Sequence, residues 1–177
     1  MGIPVEVATR DALIFLKGLC EAELITWPID YEFVEHSDEQ LAETFGDWFG
    51  GTRWSECGDC FVHFGRDGSG SLFLLWYYPE LISQPPVVFM GSEGECGLVA
   101  DNIQDFIRQM GSGKVFFDNA WITPEDEDNM VINWAGLACA IEQQYGSNHV
   151  TPEQLLDKAK RNHVDFAQWV ESKVEYT

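Results

Sequence analysis

Cys57-Gly-Asp-Cys60, with two residues between Cys60 and His63, is the one cluster in this sequence whose residue types and spacing fit a metal. Thiolates and imidazole suit zinc, but a structural zinc wants four ligands, and the usual signatures carry a second closely spaced pair. Only the isolated Cys96 could add a thiolate, unless a carboxylate or another histidine supplies the fourth ligand. If Phe61 to Phe64 is a strand, Cys60 and His63 also point to opposite faces. A pair of packed or exposed thiols accounts for the cluster better than a zinc site does, so no metal and no cofactor is assigned. A thioredoxin-type role would need the pair to open a helix after a strand, whereas this pair precedes a strand.

Nucleophilic catalysis finds no foothold. No G-x-S-x-G elbow is present, and Ser69 sits in a G-S-G turn without the strand-to-helix bend that exposes a nucleophile. His36, His63, His149 and His163 accompany no serine or cysteine motif. The text GSGK at 111–114 resembles part of a phosphate loop, but Arg108 stands where the pattern needs glycine and Val115 where it needs Ser or Thr. No catalytic residue is assigned, and the chain is read as a non-enzyme.

For a binding protein, the useful chemistry is carboxylates held on turns beside aromatic anchors. Glu93 and Glu95 stand in the turn GSEGE, Asp67 in a hairpin turn, and Glu125, Asp126, Glu127 and Asp128 at a helix start. Turn formation explains Asp67, and complementing the helix dipole explains the 125–128 run. Glu93 and Glu95 are better candidates, because that turn needs only its glycines. Trp76, Tyr77 and Tyr78 end a strand whose alternation separates Tyr77 from the other two, with Trp76 assigned to the core. The candidate partner-binding set is therefore Glu93, Glu95, Asp67, Tyr77 and Asp126.

The elements that position these residues are centred on Cys60 to Met110. Phe61 to Phe64 is β-prone, GRDGSGS supplies the turn and SLFLLWYY is strand again, a hairpin. Pro85-Pro86 starts a third strand, Val87 to Met90, and Gly97 to Ala100 is a fourth. Asp101 can cap a helix with Ile103, Phe106, Ile107 and Met110 on one face, ended by Gly111.

The order FGRDGSG, an aromatic strand, PPVVFMGSEGE and GLVADNIQDFI resembles the SUKH superfamily over roughly residues 60–110. In that family an FG-x-DG-x-G turn joins two strands, and a later segment ending in DFI opens a helix. The resemblance implies an α+β fold. It also implies, most often in bacteria, an immunity protein that binds and silences a polymorphic toxin, frequently a nuclease.

Toward the N-terminus, Thr9 is placed to cap a helix carrying Leu13, Leu16, Cys20 and Leu24, and Trp27-Pro28 stops it. Ile29, Tyr31 and Phe33 alternate as in a strand. Ser37 to Gln40 has the form of a capping box before Leu41, Phe45, Trp48 and Phe49. Beyond the centre, Lys114 to Phe117 is extended, and Thr123-Pro-Glu-Asp126 starts a long helix through Met130, Trp134, Leu137, Ala138, Ile141 and Tyr145. Thr151-Pro-Glu-Gln154 starts another, which residues 162–165 could divide. These elements predict a single α+β domain over 1–177, a mostly antiparallel sheet flanked by helices.

Thirty acidic side chains against ten basic give a formal charge of −20. Such a field repels nucleic acid and anionic membranes and draws basic proteins. With 45% hydrophobic residues the chain can still fill a core. The first residues lack a signal peptide, no run is long enough to span a bilayer, and five cysteines fit reduced thiols, so a cytoplasmic location is expected. The expectation is an immunity protein that binds a basic toxin domain. The alternatives are a SUKH-like regulatory scaffold, or a small metal-dependent enzyme using Cys57, Cys60 and His63.

Overall fold

The computed structural model describes residues 5–35, 40, 59–147 and 149–173. The predicted helix after Ser37, and Cys57 with it, lie outside the described residues.

A five-stranded antiparallel sheet forms the centre, in the order β1 (Glu32–Phe33), β2 (Cys60–Arg66), β3 (Leu72–Tyr77), β4 (Val87–Met90), β5 (Cys96–Ala100). Consecutive strands are neighbours throughout, and the β2–β3 and β4–β5 connections are tight turns of five residues, 67–71 and 91–95. Val62 pairs with Leu75, Leu74 with Val88, and Val88 with Leu98. The middle strands LFLLWY and VVFM read as unbroken apolar runs, and the reason is that both sheet faces are covered. Phe64, Phe73, Leu75, Val87, Phe89 and Val99 face one core, and Phe61, Leu72, Leu74, Trp76, Val88 and Met90 face the other.

The first core is closed by α1 (Val7–Glu21), α2 (Ile103–Met110), the two-stranded β6 (Val115–Phe117) and β7 (Ala120–Ile122), and α4 (Trp134–Tyr145). Tyr31 sits at its centre against Phe64, Phe73 and Phe106, and its hydroxyl donates to the Phe64 carbonyl at 2.8 Å. Gly65 makes this possible, because a Cβ there would run into the Tyr31 ring. The second core is covered by α6 (Phe166–Lys173), whose Phe166 and Trp169 rings stack at 5.7 Å and pack on Phe61 and Trp76. Asp59 fastens that layer, accepting from the indole N–H of Trp76 at 2.8 Å and of Trp169 at 3.2 Å. Helix α5 (Pro152–Asn162) packs at the β5 side of the sheet.

Several local expectations are corrected. Thr9 does not cap α1; the helix begins at Val7, and Thr9 is buried on the same face as Ala12, Leu16 and Leu19. The helix after residue 101 is capped by Asn102, whose Oδ1 accepts from the Asp105 amide at 2.8 Å, rather than by Asp101. Only Glu32–Phe33 of the stretch from Ile29 to Phe33 joins the ladder, since Ile29 closes a turn on the Thr26 carbonyl. The long helix expected from Thr123 is two pieces: a single turn, α3 (Asp126–Asn129), and then α4. Asparagines divide it, as their side chains compete for backbone groups. Asn129 donates to the Pro124 carbonyl and accepts from the Trp134 indole, while Asn133 caps α4 through the Gly136 amide. Met130 is consequently out of the apolar stripe and 87% exposed.

At α5 the expected start is found in full. Thr151 Oγ1 accepts from the Gln154 amide, and Gln154 Oε1 accepts from the Thr151 amide. Its end comes at His163, between α5 and α6.

Candidate functional site

Antiparallel order places the 67–71 turn, the 91–95 turn and β1 at one end of the sheet, because Leu72 pairs with Met90 and Glu32 with Arg66. At that end Asp67 Oδ1 accepts from the Ser69 amide at 3.0 Å, the Ser69 hydroxyl at 2.7 Å and the Ser71 amide at 3.0 Å. One carboxylate oxygen thus organises the turn, which is the structural role that the sequence allowed for it. The neighbouring turn is tied on through the Ser92 amide, which donates to Ser71 Oγ at 3.0 Å, and by a contact between the Ser92 and Ser69 hydroxyls.

The two acids of the 91–95 turn differ. Glu93 is exposed, whereas Glu95 is half-buried, its side chain folded over Gly91 where a Cβ would collide with it. Gly91 therefore serves Glu95 as well as the turn. On the other side, Asp30 Oδ1 accepts from the Gly68 amide at 2.9 Å, which brings the 26–30 loop against the hairpin.

That loop carries Trp27. Its indole N–H donates to Asp128 Oδ1 at 3.0 Å, so the acidic turn Glu125 to Asp128 is held beside it. Trp27 is 56% exposed, and Met130 and Val131 just beyond α3 are also exposed. Hydrogen bonds therefore tie Ser92 of the Glu93 turn to the Asp67 turn, Gly68 of that turn to Asp30, and Trp27 of the Asp30 loop to Asp128. Arg66 is the cation at the hairpin, and it pairs with Glu32 at 3.1 Å. The result is a set of carboxylates on rigid turns, with an indole, a thioether and a Val side chain open to solvent.

Asp67, Glu93 and Glu95 thus share one end of the sheet, and Asp126 lies in the single helical turn α3, whose Asp128 is bonded to Trp27. Tyr77 is apart from them: it ends β3 opposite Cys60, is half-buried, and donates from its hydroxyl to Glu6 at 3.2 Å. Burial, and then the Glu6 charge, push its hydroxyl pKa well up. It faces the first core and not the acidic turns. Trp27 and Asp30 were not anticipated as functional residues. The only sequence signal was a tryptophan in a loop immediately before a proline, which reads equally as a helix stop.

No protein-family model matches the chain, and no curated protein or solved structure does either.

Cys60 is exposed at the start of β2 and His63 is buried on the other side of the strand, opposite Leu74. Among the described residues no group of three or more His, Cys, Asp or Glu side chains is placed to hold a metal. Among them, too, no helix is long and apolar enough to cross a membrane.

A second polar assembly joins the helices on the β5 side. Arg108 donates to Asp105 at 3.1 Å, Lys158 to the other Asp105 oxygen at 2.9 Å, and Lys158 lies 3.5 Å from Asp101. His163 Nε2 is 3.0 Å from both the carbonyl and Oδ1 of Asp101, while Nδ1 is 2.9 Å from the Tyr78 hydroxyl. With Nε2 carrying the proton toward Asp101, Nδ1 accepts from Tyr78.

Proposed function

We propose that this chain is a cytoplasmic, non-enzymatic immunity protein of SUKH type that neutralises a basic toxin domain by binding it at the hairpin end of the sheet. The observation that carries the proposal is the Trp27–Asp128 pair: it fixes an exposed indole beside a carboxylate-bearing turn at 3.0 Å. A rigid aromatic with charges around it is the composition of an interface hot spot. Net charge of −20 adds long-range attraction for a cationic partner. A toxin that acts on nucleic acid has such a cationic groove, and carboxylates on turns can occupy it in place of phosphates.

The resemblance of FGRDGSG and GLVADNIQDFI to SUKH sequences supports the same reading. Co-expression tests it. The toxin-like domain encoded nearest upstream is induced with and without this chain, and the pair is then co-purified. Rescue of growth with a one-to-one complex supports immunity. A chain that neither rescues nor binds is instead a regulatory scaffold with another cellular partner.

A further inference from the structure

The molecule has a second charged feature of the opposite sign. Three of the ten basic residues in this acidic chain, Arg108, Lys158 and Arg161, line a single cleft of about 590 Å³ between α2, α5 and the loop that follows α4. We propose that this cleft binds a small phosphate-bearing molecule of roughly nucleotide size. The proposal is independent of the partner-binding face.

The cations are held in place before any ligand arrives. Asp105 is buried, its carboxylate lies under both Arg108 and Lys158, and it bonds one with each oxygen. Arg108 is held further by the Tyr145 carbonyl at 3.3 Å and by the Tyr145 ring, with its guanidinium 5.3 Å from the ring centroid. Asp105 thus orients two donors and partly neutralises them. Arg161 is exposed, lines the cleft and has no carboxylate partner among the described residues. Gln154 accepts through Oε1 from Thr151, so its amide NH₂ is turned away from that bond and remains a donor.

Shape and chemistry select the ligand class. A cleft of this volume is in the range that holds small molecules and larger than an isolated phosphate needs. Leu155 and Val150 give part of the lining an apolar character suited to a sugar or ring. A phosphate monoester can accept from an arginine fork and a lysine at once. Asp157 on the rim disfavours ligands that bring more negative charge than the three cations can meet.

The experiment is a thermal-shift and calorimetric titration of the full chain with AMP, with adenosine as the phosphate-free control, at up to about 10 mM. The expected result is that AMP raises the melting temperature and adenosine does not. Arg161→Gln should weaken AMP at least about tenfold while leaving the ligand-free melting temperature unchanged, since Arg161 is exposed and has no carboxylate partner among the described residues. Lys158→Gln should weaken AMP as well, and it should also lower the ligand-free melting temperature because it breaks the Asp105 bond. No response to AMP overturns the proposal, as does an equal response to adenosine or an AMP response unchanged in Arg161→Gln. Any of these would leave Arg108, Asp105 and Lys158 as a brace between α2 and α5.

Discussion

Trp27 Nε1 donates to Asp128 Oδ1 at 3.0 Å, across 101 positions of sequence. The bond joins the loop after α1 to the turn before α4 and leaves the indole 56% exposed. An exposed ring that is held in place loses little freedom when a partner covers it.

Trp27→Ala is expected to weaken toxin binding by about 2 kcal/mol or more, with folding stability changed by less than about 1 kcal/mol because the ring is mostly in water. Asp128→Asn keeps an acceptor for the indole and should cost affinity mainly through the association rate. Surface plasmon resonance at low and high salt measures both. An unchanged affinity in Trp27→Ala would remove the hairpin end from consideration as the interface.

Gly65 and Tyr31 make a prediction about the fold. The Tyr31 ring covers Gly65, and its hydroxyl is committed to the Phe64 carbonyl, so the ring has nowhere to go. Gly65→Ala should therefore cost about 1–3 kcal/mol by overpacking. A urea melt measures it. Gly70→Ala, in open space, makes a poor control because its φ is +91°, whereas Gly18 has nothing near it and lies in α1. Gly18→Ala should stabilise slightly, by about 0.5–1 kcal/mol.

The sheet and its hairpin were legible because turn glycines and apolar runs are local signals. FVHFGRDGSGSLFLLWYY states its own strand, turn and strand, and Thr151-Pro-Glu-Gln154 states its own cap. Helix division at Asn129 and Asn133 was not legible, because an asparagine breaks a helix only when its side chain finds a partner, here Pro124, Trp134 and Gly136. Grouping of the acidic turns was legible only in part. That Asp67 and Glu93 share an end follows from hairpin order, but nothing local ties Trp27 to Asp128 or Asp30 to Gly68. The Arg108, Lys158 and Arg161 cleft is likewise a product of how α2 meets α5. In the sequence these are three scattered cations among thirty acids.

At the junction of α5 and α6, His163 links Tyr78, just past the end of β3, to Asp101 before α2. Tyr78→Phe removes one neutral hydrogen bond and leaves Nδ1 without its donor, a loss of about 0.5–1.5 kcal/mol. His163→Phe strands the Tyr78 hydroxyl and also forces a larger ring into a buried site, so it should cost more. If the two bonds act as one network, Tyr78→Phe will cost nothing further in the His163→Phe background. Chemical denaturation of the two single variants and the double variant measures that coupling.

Asp59 sets a pH dependence that can be assigned to one residue. Burial raises its carboxyl pKa above the usual range, with the Trp76 and Trp169 indoles and the Lys173 charge pulling it partly back. A raised folded-state pKa means that the folded chain holds this proton more tightly than the unfolded chain does. Its stabilising contribution is therefore full below the unfolded value of about 3.9 and is lost as pH rises through the folded value. At neutral pH the buried charge is a cost that the two indole bonds offset. Asp59→Asn abolishes the ionisation, keeps one acceptor for Trp76 and presents an amide NH₂ to the other indole. Relative to the parent, Asp59→Asn should thus do better at pH 7 than at pH 4, whatever its absolute cost. Asp59→Ala orphans both indole N–H groups and should lose about 1–3 kcal/mol, with loosening of α6 over the second core. Urea melts of the three proteins at both pH values, followed by tryptophan fluorescence, decide the matter. A parent-to-Asn difference that is flat with pH, or that moves the other way, would show that Asp59 does not titrate against folding.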